Sequence, residues 1–139
     1  MNITIQTFGY PATLIKEYRH WVVLLRPKQV TIGSLVIAAK SEATHLGQLT
    51  KDEWAEFAQV SSDCEELLTK TFGAEKFNHL ALMMKDPNVH FHFIPRYSKP
   101  VVLNGKEFPD VDYPLKTELN AIELPQVEFE AIKQRLKNK

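Results

Sequence analysis

The sequence predicts an α+β domain: a mostly antiparallel, five-stranded sheet with one long helix packed on it and a shorter C-terminal helix. Three observations predict it. Five short runs of strand-forming residues are separated by breakers. One capping box opens a single long amphipathic stretch. The segment Asn88-Val89-His90-Phe91-His92-Phe93 alternates polar and apolar with the two-residue period of a strand. The 139 residues suit one domain, with its core over about 12–97 and an irregular arm plus the C-terminal helix over 98–139.

Ala12 to Tyr18 and Trp21 to Leu25 read as two strands joined near Arg19-His20, a hairpin. Trp21-Val22-Val23-Leu24-Leu25 is continuously apolar, the pattern of a strand buried on both faces. Arg26-Pro27-Lys28-Gln29 breaks it, and a third strand, Ser34 to Ala38, is entered through Gly33. Thr50-Lys51-Asp52-Glu53 is the capping box, in which the Thr hydroxyl and the Glu carboxylate satisfy each other's free backbone N–H groups. The helix it opens runs over roughly 51–72. Trp54, Phe57, Val60, Cys64, Leu67 and Leu68 form its buried stripe, and Gly73 is its C-cap. Phe77 to Met84 reads as the fourth strand, with Met83 and Met84 as core filling. Lys85-Asp86-Pro87-Asn88 reads as a tight turn into the histidine strand, so that the last two strands pair antiparallel with His79 opposite Ile94. Pro100, Pro109, Pro114 and Asn104-Gly105 break the arm. Pro125 starts the last helix, with Phe129, Ile132 and Leu136 on one side.

The bulk numbers exclude several classes. Lys+Arg and Asp+Glu number 17 each, so the net charge is zero, against the basic face a general nucleic-acid binder needs. Anion recognition is therefore local. The single Cys64 excludes an internal disulfide framework and a cysteine-only zinc site, and a reducing cytoplasm is the expected compartment. Met1-Asn2-Ile3-Thr4-Ile5-Gln6 does not read as a signal peptide. No apolar stretch approaches the ~20 residues of a membrane span, so no membrane partner is expected.

The histidine segment is the centre of the functional reading. Val89, Phe91 and Phe93 face a core. Asn88, His90 and His92 line the other face at intervals of about 6.6 Å. Two imidazoles on one strand face suit a site that handles phosphate, protons or a metal. For a metal, His-x-His supplies two ligands, with His79, His45 or Asp86 as a third. His45 and His20 otherwise read as loop histidines. Asp110 and Asp112 lie in the arm, where either reaches a site or is merely solvated.

Asn88-Val89-His90-Phe91-His92-Phe93-Ile94-Pro95-Arg96 resembles the signature of the histidine triad superfamily, His-φ-His-φ-His-φ-φ with φ apolar. Its fragile-histidine-triad branch often continues with Pro-Arg. The resemblance covers about residues 12–97. It implies a homodimer, no protein-held metal and no cofactor, and a small-molecule nucleotide substrate. The implied activity is hydrolysis or transfer of nucleotidyl groups from phosphoanhydrides, phosphoramidates or related esters. By the same carry-over His90 is the nucleophile that forms a covalent nucleotidyl-histidine, its other ring nitrogen donating to the backbone carbonyl of Asn88. His92 is a hydrogen-bond donor to the phosphate or leaving-group oxygen.

The segment departs from the pattern in three places. Asn88 replaces the first His; its amide can donate to phosphate but cannot be a general acid at pH 7. Where many hydrolytic members carry a longer Gly-containing loop, only Lys85-Asp86-Pro87 separates the two strands, and Lys85 is the candidate replacement for that loop's phosphate contacts. Counting back from Gly33, the family's ribose-binding Asn or Asp falls on Arg26. A cation cannot accept hydrogen bonds from hydroxyls, so Arg26 implies an extra phosphate, sulfate or carboxylate on the ligand, with Lys28 beside it. Arg96 is either a further substrate contact or the partner of a carboxylate at the strand end. The expected activity is thus a nucleotidyl hydrolase or transferase acting through His90. The alternatives are a non-catalytic nucleotide- or anion-binding module and a His-x-His metal-dependent hydrolase.

Overall fold

The computed structural model describes residues 1–138. Strands β1 (Leu14–Glu17), β2 (Trp21–Leu25), β3 (Leu35–Ala39), β4 (Lys76–Leu80) and β5 (His90–Arg96) form one sheet in the order β1-β2-β3-β5-β4, antiparallel at every pairing. Helix α2 (Lys51–Phe72) lies on one face. Thr50 Oγ1 accepts from Glu53 N, Glu53 Oε1 accepts from Thr50 N, and Gly73 ends the helix in the left-handed region. Trp21, Val23, Leu25, Leu35, Ile37, Phe91 and Phe93 form the core beneath it with Val60, Cys64 and Leu68. Trp54, expected in that stripe, is 39% exposed. Gly33 has φ +90°, and a Cβ there would stand 2.6 Å from Leu68 Cδ2; the entry to β3 can turn this close to α2 only with glycine. No helix among the described residues is long and apolar enough to cross a membrane.

The opposite face holds the histidines. Cross-strand partners share a face. Val22, Ala38 and His90 form one row, and Leu24, Val36, His92 and Leu80 the next. Here the structure adds an element that the sequence reading placed outside the core. Asn2 caps a short helix, α1 (Ile3–Thr7), accepting from Ile5 N at 3.0 Å. Its Nδ2 donates to the carbonyls of Ala39 and Ser41, both at 2.8 Å. Ile5 packs on Val22, Leu24, Val36 and Ala38, with Phe8, Tyr10 and Leu14 around it. The N-terminal segment thus roofs the apolar half of the histidine face.

The passage from β4 to β5 differs from the expected tight turn. β4 stops at Leu80, and residues 81–89 form a loop. The cause is competition for the lead-in to β5. Val89 N donates to Ala43 O (2.8 Å) and Val89 O accepts from Ala39 N (3.0 Å), while Asn88 is held by α1. The register shifts by one, so His79 pairs with Phe93 rather than Ile94. A one-residue shift moves a side chain to the other face. His79 accordingly packs edge-on against Phe93 at 4.8 Å, on the α2 side. Met84, expected as core filling, is 82% exposed in the loop.

The arm is less irregular than expected. Asn104 and Gly105, both at positive φ, turn a hairpin of β6 (Val101–Leu103) and β7 (Lys106–Phe108), the conformation for which Asn-Gly is suited. Helix α3 (Gln126–Lys137) follows Pro125 and buries Ile132 and Leu136 against the main core.

Candidate active site

Alternation along β5 turns His90 and His92 to the same side, with their ring centroids 5.1 Å apart. His90 Nδ1 lies 2.7 Å from the backbone oxygen of Asn88. A carbonyl only accepts, so Nδ1 carries a proton, and in the neutral ring the lone pair is the one on Nε2. Nε2 has no hydrogen-bond partner among the described residues, and the ring is 2% exposed. Phe8 stands over both imidazoles, its centroid 5.5 Å from that of His90 and 5.8 Å from that of His92. The His90 ring is therefore closely walled.

Asn88 does two separate things. Its carbonyl orients His90. Its side chain is turned away to α1: Oδ1 accepts from Thr4 Oγ1 at 3.0 Å, and Thr4 Oγ1 accepts from Asn88 N at 3.0 Å. Nδ2 donates to Glu42 O at 3.3 Å. The amide nitrogen that could donate to phosphate thus bonds to the Glu42 carbonyl, while Oδ1 holds the N-terminal segment. Thr4→Val removes the hydroxyl that answers both groups and leaves a buried amide under-satisfied. We expect it to lose about 1–3 kcal/mol of stability, measured by urea unfolding; a loss below about 0.5 kcal/mol would show that the pair does not hold the segment.

His92 Nδ1 faces Arg26 Nε at 3.4 Å. Arg26 follows β2 on the histidine side and also donates through Nη1 to the Lys28 carbonyl. Among the described residues it pairs with no carboxylate. Burial, then the neighbouring His90 and Arg26, hold the His92 pKa down at about 4. The structure therefore brings Asn88, His90, His92 and Arg26 together. Lys28 and Lys85 have exposed side chains, and neither bonds to an imidazole; only the Lys28 carbonyl joins the cluster.

Of the two readings of Arg96, the structure shows the partner of a carboxylate at the strand end. Arg96 is 4% exposed. It grips Asp110 through Nε (2.7 Å) and Nη2 (3.2 Å), and donates to Asn78 Oδ1 (2.8 Å) and the Leu115 carbonyl (2.7 Å). This clasp closes the arm beside a groove of about 480 Å³, lined by Asn78, Ile94, Arg96 and residues 114–117. The groove continues the row of His90 and His92 along β5. The His-x-His metal reading loses His79 to the other face, and no group of three or more His, Cys, Asp or Glu among the described residues is gathered to hold an ion.

Sequence reasoning missed Phe8 and Thr4. Phe8 carries no motif. Thr4 had one usable signal, Asn2 as an N-cap, which the β-branched Ile3, Thr4 and Ile5 obscure by favouring a strand.

An imidazole oriented by a backbone carbonyl, on the outer face of an antiparallel sheet, marks the candidate site, and the whole chain has a recognisable fold. It is the fold of the histidine triad proteins. A histidine triad protein of Sinorhizobium meliloti 1021 superposes with a TM-score of 0.73 at 18% identity, over 99% of this chain and 94% of that one. A hypothetical histidine triad nucleotide-binding protein of Sulfolobus tokodaii gives 0.70 at 16%, over 97% and 87%. The Plasmodium falciparum diadenosine triphosphate hydrolase, in complex with cyclomarin A, gives 0.66 at 13%, over 92% and 76%. No family model and no curated protein sequence matches the chain.

Proposed function

We propose that the chain is a histidine triad hydrolase or nucleotidyltransferase with a small-molecule nucleotide substrate, acting through a covalent nucleotidyl-histidine at His90. The observation that carries this reading is the 2.7 Å bond from His90 Nδ1 to Asn88 O, which in the neutral ring puts the lone pair on Nε2, beside a second imidazole. Two similarly folded proteins, a nucleotide-binding protein and a diadenosine triphosphate hydrolase, support the substrate class.

The Nε2 lone pair forms a bond to the α-phosphorus, and the bond from phosphorus to the leaving group breaks with its electrons departing on the leaving group. His92 Nε2–H donates a hydrogen bond to the leaving oxygen. Water then attacks phosphorus, the P–N electrons return to His90, and the water's proton passes to solvent. Nucleophilic imidazole suits both halves, since it attacks well and leaves well once phosphorylated. Arg26 and, beside it, Lys28 hold an anionic part of the ligand; Lys85 is a weaker candidate for the same task.

The test is a phosphorus-labelled nucleoside 5′-anhydride, quenched in alkali. We expect label on the protein that is stable to alkali and released by acid, as a phosphoramidate bond requires. Absence of label and of turnover across nucleoside anhydrides and amidates would end the proposal. Nucleotide binding without either is the outcome of the second reading, a non-catalytic binding module, which the burial of His90 under Phe8 favours.

The same reading includes a homodimer joined through β4. This strand is an unpaired edge with Lys76, Asn78 and His79 exposed. Trp54 flanks it through Phe57, and Leu82 and Met84 stand exposed just beyond its end. A bare strand edge beside apolar side chains favours pairing with a second copy. Sedimentation equilibrium should give twice the chain mass at micromolar concentration, and Trp54→Glu should shift it toward one; a wild-type monomer up to about 100 μM would refute the dimer.

A further inference from the structure

We propose that Arg26 is a positioning residue that fixes His92 as its Nε2–H tautomer, and so restricts the site to leaving groups that depart as stable anions without being protonated. The choice of leaving group rests on the reaction proposed above. The tautomer rests on geometry alone.

Arg26 Nε–H points at His92 Nδ1 across 3.4 Å. A guanidinium only donates, so Nδ1 must be the acceptor and the ring proton sits on Nε2. An imidazolium would set one N–H against another. Burial of the ring, the adjacent His90 and the Arg26 charge all act in that direction, and the pKa falls to about 4. The sign follows: above about pH 4 His92 is neutral, and at pH 7 it donates a hydrogen bond but has no acidic proton to transfer. Among the described residues, the groups in contact with His92 supply no acid in its place. Across the strands His92 meets Val36 and Leu80, both uncharged. The N-terminal segment supplies Phe8. The Asn88 amide is held by Thr4 and Glu42, and His90 Nδ1–H by Asn88 O.

The departing atom must therefore carry its electron pair away unaided. A phosphate, sulfate or carboxylate does so, as a nucleotidyl mixed anhydride requires. An amine or an alkoxide does not, because general acid catalysis of that step is commonly worth about 10²–10⁴-fold. Arg26 helps the anions directly. Its Nη2 makes no bond among the described residues and is free to donate to an anionic group.

Two measurements test the proposal on the full chain. Two-bond proton–nitrogen NMR of the unliganded protein should show His92 as a single Nε2–H tautomer that does not titrate down to pH 5. Arg26→Met should populate both tautomers and raise the titration toward the ordinary histidine value of about 6.5, burial and His90 still holding it below that value. The second measurement compares a nucleoside phosphosulfate with the phosphoramidate of the same nucleoside. Wild type should favour the anhydride by at least about 100-fold in kcat/KM at pH 7. Arg26→Met should narrow that ratio at least about tenfold, with the gain on the amidate largest near pH 6, where the released His92 becomes partly cationic. An Nδ1–H form in the wild type, or titration near 6.5, overturns the positioning role. Equal losses on both substrates overturn the selectivity. If neither substrate is turned over, the selectivity falls with the reaction that it modifies, while the NMR result still decides what Arg26 does.

Discussion

His90→Ala is expected to lower kcat for a nucleoside anhydride by on the order of 10⁴-fold or more, with ligand affinity changed only a few-fold. The size follows from the role. A residue that forms the bond to phosphorus acts only in the transition state and the intermediate, and removing such a nucleophile from an enzyme typically costs kcat rather than KM. The ring also packs against Phe8 and His92, so a cavity left by alanine is a competing explanation for lost activity. His90→Asn separates the two. It keeps a side chain that can donate to the Asn88 carbonyl, and so preserves packing, but it offers no nucleophilic nitrogen. Both variants should fail to acquire label while a non-hydrolysable nucleotide still binds by calorimetry. Activity within about tenfold of wild type in either variant would refute a covalent intermediate at this position.

The parts of this site that the sequence made legible are those written in local periodicity. The alternation over residues 89–93 placed His90 and His92 on one face, and the Thr50–Glu53 box located the start of α2 to the residue, because both signals lie within a few residues of the feature they specify. The remaining parts are made by contacts across long stretches of chain. Thr4 answers Asn88, and Arg26 answers His92; neither pair has a local pattern. The resemblance to the triad pattern singled out Arg26 as a cation out of place, but not its contact with an imidazole. His79 shows how the failure arises. Its face depended on a register, the register on the turn, and the turn on which neighbour claimed Val89. Ala39 and Ala43 claim it, and neither is marked for that in the sequence. Asn88 is the most instructive residue. Its backbone carbonyl accepts from His90 Nδ1, whereas its side-chain oxygen accepts from Thr4 in the N-terminal segment, so one residue makes two separate contacts.

The largest effect on stability is expected at the other end of the same strand. Arg96 and Asp110 side chains are 4% and 2% exposed, and the guanidinium makes two bonds to the carboxylate, one to Asn78 and one to the Leu115 carbonyl. In Arg96→Met the stem is replaced, but Asp110 keeps its charge in the interior with only the Tyr97 N–H, at 3.1 Å, in support. Leaving one member of a buried pair uncompensated typically costs about 3–5 kcal/mol, which for a domain of this size lowers Tm by roughly 10 °C. Arg96→Met with Asp110→Leu removes both charges and should recover at least about 1–2 kcal/mol of the loss, since apolar replacement of a buried pair is often nearly neutral. A single variant within about 1 kcal/mol of wild type, or a double variant no better than the single, would show that the clasp is not a coupled pair. The functional consequence follows from where the clasp sits. Arg96 joins the end of the histidine strand to the arm that walls the adjacent groove, so the double variant should restore Tm further than it restores kcat/KM. Recovering the fold without the Leu115 contact leaves that wall unheld, and the difference between the two recoveries measures what the arm contributes to the reaction.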